Sequence, residues 1–214
     1  VEQNYIMQMG GLKIYGASMF NDIKKILCTK LDKMPVNHLI DFYKNVPYNE
    51  RDVFCSELIW NNFDKNMSNI LIVGGNVPLI YLDKFKNYNL TYIDNNPCLS
   101  YCSDYIRESF NCQVINLNPI TEDIATLISQ NDLIIYPETE TLIPFDLLRY
   151  KHKNKMIFCS NFFYYDFKLN NNLIYDENDL KDICEIETVL IKGTHSLNFE
   201  NKKRNFYYVM GNAN

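Results

Sequence analysis

The sequence predicts an α/β fold: a doubly wound, mostly parallel sheet with an antiparallel C-terminal hairpin and an N-terminal helical cap. Three observations carry this. From Asn69 onward, short continuous apolar runs alternate with helical stretches, the rhythm of βα units whose strands are covered on both faces. The end of the chain breaks that rhythm with two strand-like runs in succession. The stretch before Asn69 is helical only, with apolar residues at three- and four-residue spacing.

The elements follow in chain order. "NDIKKILCTKL", "VNHLIDFYKNV" and "RDVFCSELIWNNF" read as helices. Ile23, Ile26, Leu27 and Leu31 share one face, as do Phe54, Leu58 and, approximately, Trp60 or Asn61. Residues 1–65 are therefore expected to form the cap, placed over the strands' carboxyl ends, and residues 66–214 the sheet domain. "ILIVGG" is the first strand and "VPLIYLDKF" a short helix with Pro78 in its first turn. "LTYIDNN" is the second strand. "PCLSYCSDYIRESF" is a helix with Asn96 placed as its N-cap. "CQVINLN" and "TEDIATLISQ" repeat the unit, with acidic residues in the helix's first turn. "DLIIYPE", the short helix "IPFDLLRYK" and the strand "KMIFCSN" complete the parallel part. "ETVLIKGT" and "NFYYVMGN" form the hairpin. A polar loop containing His195 joins them, with the basic "KKR" of residues 202–204 in the turn.

Composition narrows the function. The chain has 214 residues, 47% of them hydrophobic and 22% charged, as in a globular protein. It has no apolar run of the ~18 residues a membrane span needs, and its start lacks the pattern of a secretory leader. The net charge of −5 and the lack of a long basic block disfavour a nucleic-acid partner. Seven cysteines without a C-x-x-C pair fit a reducing, cytoplasmic setting, and three dispersed histidines give no basis for a zinc site. The expected partner is a small-molecule substrate, and a homodimer is compatible with the chain.

The stretch "VGGN" follows the first strand. Gly74 and Gly75 let the backbone approach a ligand where a Cβ would interfere, although a glycine pair also serves a plain strand-to-helix turn. Asp94 ends the second strand about 20 residues after Gly74, where nucleotide-binding α/β folds place an acid on the ribose hydroxyls. Asn96 is better placed than Asp94 to cap the next helix, which leaves Asp94 available for a vicinal diol. Val77 and Pro78 occupy the later glycine positions of the dinucleotide motif, and Pro78 offers no N–H to a pyrophosphate. A cofactor with adenine and ribose but no phosphate fits better: S-adenosylmethionine.

Ligands in such folds sit at the carboxyl ends of the strands. The residues there are Gly74, Gly75 and Asn76; Asp94 and Asn95; Asn116 to Asn118; Tyr136, Pro137 and Glu138; and Ser160 and Asn161. Asn116 and Asn118 are candidates for bonding adenine. The Tyr136 face could stabilise a sulfonium by cation–π contact. Glu138 and Glu140 are candidates for a general base or for holding an ammonium, and otherwise form a solvated loop. Asn161, with Phe162 to Tyr165, would wall the acceptor pocket. His195 is expected to be exposed rather than catalytic.

From Asn69 to Gly211, about two-thirds of the chain, the sequence resembles the class I S-adenosylmethionine-dependent methyltransferases, whose fold is Rossmann-like. More narrowly, "DLIIYPETE…IPF…KMIFCSNFFYYDFKLN" is similar to a group of small bacterial methyltransferase-like proteins. By that resemblance the Glu after strand four is Glu140, and the Ser-Asn that ends strand five is Ser160-Asn161. Thr141 stands where the group often has a His. The resemblance implies methyl transfer, and the leading expectation is a small-molecule acceptor; Glu140 and Asn161 from the resemblance, with Tyr136 from its place after strand four, form the expected catalytic set. The wider group also includes azetidine-2-carboxylate synthases, which cyclise the aminobutyrate arm of S-adenosylmethionine, and the related nicotianamine synthases, which transfer it. Such arm chemistry, releasing 5′-methylthioadenosine, is the second enzymatic expectation. A non-catalytic binding protein on a degenerate fold is the third.

Overall fold

A computed structural model describes residues 49–75, 79–94, 99–116, 123–139, 148, 151–162, 174–199 and 202–213. Its elements are α1 (Asn49–Asn62), β1 (Asn69–Val73), α2 (Leu79–Lys84), β2 (Asn89–Asp94), α3 (Leu99–Phe110), β3 (Cys112–Asn116), α4 (Asp123–Gln130), β4 (Leu133–Tyr136), β5 (Lys155–Phe162), α5 (Glu177–Ile183), β6 (Thr188–Phe199) and β7 (Lys202–Ala213). The seven strands form one sheet in the order β3-β2-β1-β4-β5-β7-β6. The first five are parallel. β7 runs antiparallel between β5 and β6. This is the doubly wound sheet with a terminal antiparallel hairpin that the sequence predicts.

The continuous apolar strands read as they do because both faces are covered. Ile70, Ile72, Leu133, Ile135 and Phe158 pack on one side with residues of α1, α2 and α3. Leu71, Val73, Ile134, Tyr136 and Ile157 pack on the other with residues of α4 and α5. Strand order reverses at β1, flanked by β2 and β4, so their carboxyl ends define the switch point where such sheets bind ligands.

Helix α1 is the described part of the expected cap; residues 1–48 lie outside the described residues. Its body packs on the sheet rather than above it. Cys55, Ile59 and Phe63 belong to the core shared with β1, β2 and β4. Its buried face also differs from the Phe54–Leu58–Trp60 face read from spacing. Arg51, Asp52, Cys55, Ser56 and Ile59 are buried, while Phe54, Leu58 and Trp60 form a half-buried flank. Trp60 meets Phe63, Phe85 and Tyr88, whereas Phe54 meets the hairpin. The Phe54 ring stacks on His195 at 4.1 Å and meets Phe206 and Tyr208 edge-on.

The hairpin is longer than expected. β6 runs through the supposed loop to Phe199, and β7 begins at Lys202, so "KKR" and His195 lie in strands. His195 is half-buried against Phe54. α5 has no counterpart in the predicted elements. Asp176 caps it, accepting from the backbone N–H groups of Asn178 and Asp179 at 2.7 and 2.9 Å. The expected cap at Asn96, the first-turn Pro78, most of the "IPFDLLRYK" helix and the aromatics at 163–165 lie outside the described residues.

Candidate functional site

The turn after β1 is built by its two glycines. Gly74 and Gly75 have φ of 74° and 91°, a region where side-chain-bearing residues are strained. The Gly74 N–H extends the ladder to the Ile93 carbonyl at 2.8 Å, which holds the turn against the end of β2. One residue further along β2 is Asp94, buried at 6% exposure. Its side chain is oriented by Tyr92, whose hydroxyl donates to Oδ2 at 2.8 Å. Asn116 ends β3 in register with Asp94. The backbone thus aligns Gly74, Asp94 and Asn116 along the carboxyl ends of three adjacent strands. Asn76, Asn95, Asn118 and the side chain of Asn116 lie outside the described residues.

The segment after β4 is buried and tied to β5. The Ser160 hydroxyl donates to the Pro137 carbonyl at 2.5 Å. The Thr139 N–H and hydroxyl both donate to the Ser160 carbonyl at 3.0 Å. Asn161 Nδ2 donates to Thr139 Oγ1 at 2.8 Å. Ser160 and Asn161 are fully buried, so their polar atoms serve to hold Pro137, Glu138 and Thr139 in one conformation. Glu140 lies outside the described residues. Tyr136 is also fully buried, on the face of the sheet opposite α1. Its hydroxyl is 2.6 Å from His152 Nε2, and the two rings meet edge-on. This placement gives the Tyr136 ring to the core.

The first turn of α1 reaches the same strand ends. Arg51, fully buried, donates from its terminal amine to Glu138 Oε1 at 3.0 Å and from Nε to Asp52 Oδ1 at 3.4 Å. Burial is the main cause that raises Asp52 to about 7; Arg51 lowers it and the Glu138 charge raises it. Cys55, one turn on, is pushed up to about 12 by burial and remains a thiol. The Cys55 thiol interacts with Tyr81 of α2 and Ser160 of β5. Tyr81 is fully buried, with the Cys55 thiol beside its hydroxyl. Burial also holds Tyr81 well above the usual phenol range.

Arg51, Asp52, Cys55 and Tyr81 were not among the site residues expected from sequence. A signal existed: an adjacent Arg-Asp pair sits on the helical spacing that continues to Cys55 and Ile59. Charged residues on a stripe otherwise apolar mark a polar site inside a core. Among the described residues, no group of three or more His, Cys, Asp or Glu side chains is placed to hold a metal ion. Nor is any described helix long and apolar enough to cross a membrane.

No protein-family model and no curated protein matches the chain. Solved structures do. The magnesium protoporphyrin IX methyltransferase ChlM from Synechocystis PCC 6803, with bound S-adenosyl-L-homocysteine, is similar at a TM-score of 0.55 and 11% identity, over 88% of this chain and 99% of ChlM. The N-methyltransferase NodS from Bradyrhizobium japonicum WM9, in complex with S-adenosyl-L-homocysteine, is similar at a TM-score of 0.51 and 13% identity, over 77% of this chain and 88% of NodS. EvdMO1 is similar at 0.52 and 14% identity; the match covers 75% of this chain and 41% of EvdMO1. The chain has the Rossmann-like fold of class I S-adenosylmethionine-dependent methyltransferases.

Proposed function

We propose that the protein is an S-adenosylmethionine-dependent methyltransferase acting on a small molecule. The observation that carries this reading is the positive-φ Gly74–Gly75 turn beside the buried, oriented Asp94 carboxylate on the neighbouring strand. The donor set fits the cofactor. The Asp94 carboxylate has acceptors for two ribose hydroxyls, and the glycine turn admits the ligand close to backbone. No pyrophosphate site is needed, in keeping with Val77 and Pro78. Asn116, with Asn118, would meet the adenine, and Asn76 and Asn95 would complete the walls.

S-adenosylmethionine supplies a methyl group made electrophilic by its sulfonium. The protein's task is then positioning, which is worth up to ~7–11 kcal/mol when a nucleophile is well aligned. The segment Pro137–Thr139, held by Ser160 and Asn161, is a rigid floor for that alignment. Glu140 follows it directly, as the proposed proton acceptor or anchor for a substrate cation.

The test is incubation of the protein with S-adenosylmethionine, with and without candidate acceptors, and identification of the nucleoside formed. S-adenosylhomocysteine that forms only with an acceptor supports methyl transfer. 5′-Methylthioadenosine formed by the protein alone would instead establish arm chemistry. A protein that neither binds S-adenosylhomocysteine nor consumes S-adenosylmethionine overturns both enzymatic readings and leaves a binding protein.

A further inference from the structure

We propose that Cys159 and Cys184 are a modification site: a dithiol that a low-molecular-weight disulfide, such as glutathione disulfide, converts into a disulfide bond that staples α5 to β5. The inference is independent of the methyltransferase reading.

Distance is the first support. The two Sγ atoms are 3.0 Å apart, with the Cys184 thiol donating to Cys159. A disulfide bond is about 2.05 Å long, so an approach of about 1 Å completes it. The four described cysteine side chains divide between the two layers of the core. Cys55 and Cys112 lie on the side of α1, α2 and α3, and Cys159 and Cys184 on the side of α4 and α5. Within its layer, Cys159 has Cys184 as the one described cysteine to meet.

The backbone is the second. Cys159 lies in β5 between Tyr136 of β4 and Val209 of β7, so its position is fixed by ladders on both sides. The pleat sends Phe158 to one face of the sheet and Cys159 to the face that α5 covers. Cys184 follows the last turn of α5, where its N–H donates to the carbonyl of the fully buried Leu180 at 3.1 Å. The Ile186 N–H donates to the Lys181 carbonyl at 3.1 Å, and the Glu187 N–H to Asn212 of β7 at 3.0 Å. These bonds return the chain to the sheet and hold Cys184 against β5. The two sulfurs are brought together by the main chain, not by chance rotamers.

Access is the third. Both thiols are buried, so the oxidant reaches them through local opening. The turn after α5 is the place to open. The helix has seven residues, and Glu185 beside Cys184 has a φ of 54°, a region where side-chain-bearing residues are strained. Cys184 is therefore the first to meet the oxidant. Burial, and then the hydrogen bond with Cys184, holds the Cys159 thiol well above the ordinary thiol range, so Cys159 reacts second. Cys184 loses its proton and attacks one sulfur of glutathione disulfide; one glutathione leaves and takes the proton. Cys159 then loses its proton and attacks the Cys184 sulfur, and the second glutathione leaves with that proton. Two protein S–H bonds give way to one S–S bond, and the oxidant's S–S bond is reduced to two thiols. The new bond closes a loop between residues 25 positions apart, next to the Ser160 that holds Pro137.

The experiment is incubation of the reduced, native full chain with glutathione disulfide, then alkylation of free thiols, proteolysis without reductant and mass spectrometry. Expected is one peptide pair joined through Cys159 and Cys184. Urea denaturation of the oxidised protein should show an unfolding constant lower by ~10²-fold, as a loop of this length predicts, and dithiothreitol should restore the original curve. Cys159→Ser should trap glutathione on Cys184, and neither Cys159→Ser nor Cys184→Ser should gain stability from the oxidant. Native protein that keeps both thiols free, or that joins other cysteines instead, overturns the proposal. So does a joined pair that leaves the denaturation curve unchanged, because then no staple has formed between α5 and β5. If the serine variants do not fold, a wild-type gain that dithiothreitol fails to reverse overturns it instead.

Discussion

Asp94 and Tyr92 lie two residues apart on one face of β2, so the pleat itself brings the phenol to the carboxylate. A buried carboxylate held in one rotamer is prepared for a diol before the ligand arrives. Asp94→Ala should therefore weaken S-adenosylhomocysteine by ~2–4 kcal/mol, as the loss of two charge-assisted bonds with partial replacement by water. Tyr92→Phe keeps the carboxylate but frees its rotamer, and should cost a smaller ~0.5–1.5 kcal/mol. Calorimetric titration of both variants checks the order. If Tyr92→Phe binds as wild type while Asp94→Ala is weak, the carboxylate acts without its orienting partner. Equal affinity in all three proteins removes Asp94 from the site.

Among the elements, the hairpin shows where local pattern is and is not sufficient. β1 and β4 are legible because their apolar runs are uninterrupted, β2 because only Thr91 breaks its run, and Asp94 because it ends that strand. β6 is not, because its inward positions past the bulge include Gly193 and His195 rather than aliphatics. The stacking partner that makes His195 a core-facing residue is Phe54, far away in sequence. The Arg51–Glu138 bond escapes for the same reason: its partners are 87 positions apart. Tyr136 is legible as the end of β4, but the face its ring takes depends on His152 and on the layer behind the sheet. The two hairpin glycines differ testably. A Cβ on Gly211 would lie 2.2 Å from the Thr188 carbonyl oxygen, fixed by the ladder, and 2.6 Å from a methyl of the buried Ile186. A Cβ on Gly193 would meet the Tyr208 hydroxyl at 2.6 Å, the far end of a half-buried side chain that can move. Gly211→Ala should lower stability by ~1–3 kcal/mol or more, and Gly193→Ala by clearly less. Urea denaturation of the two variants measures this, and equal losses would mean that β6 yields as readily as the Tyr208 ring.

For the molecule as a whole, two buried groups set opposing responses to pH. Burial lowers His152 from 6.5 to about 4. Between those values the folded state binds fewer protons than the unfolded state. The contribution is full above 6.5 and is lost as pH falls through about 4, a difference of about 3 kcal/mol. Asp52 runs the other way, because burial raises it from 3.8 to about 7. Its contribution is full below 3.8 and is lost as pH rises through about 7, a difference of about 4 kcal/mol. The two nearly cancel, so these groups leave wild-type stability almost flat from pH 4 to 7. Asp52→Asn should remove one slope and expose the other. The variant should be more stable than wild type at neutral pH and should lose about 3 kcal/mol on acidification. His152→Gln, which can still bond the Tyr136 hydroxyl, should invert the profile, with stability rising as pH falls. Urea denaturation of the three proteins at stepped pH gives the curves. Coincident slopes would mean that neither burial governs titration in this range.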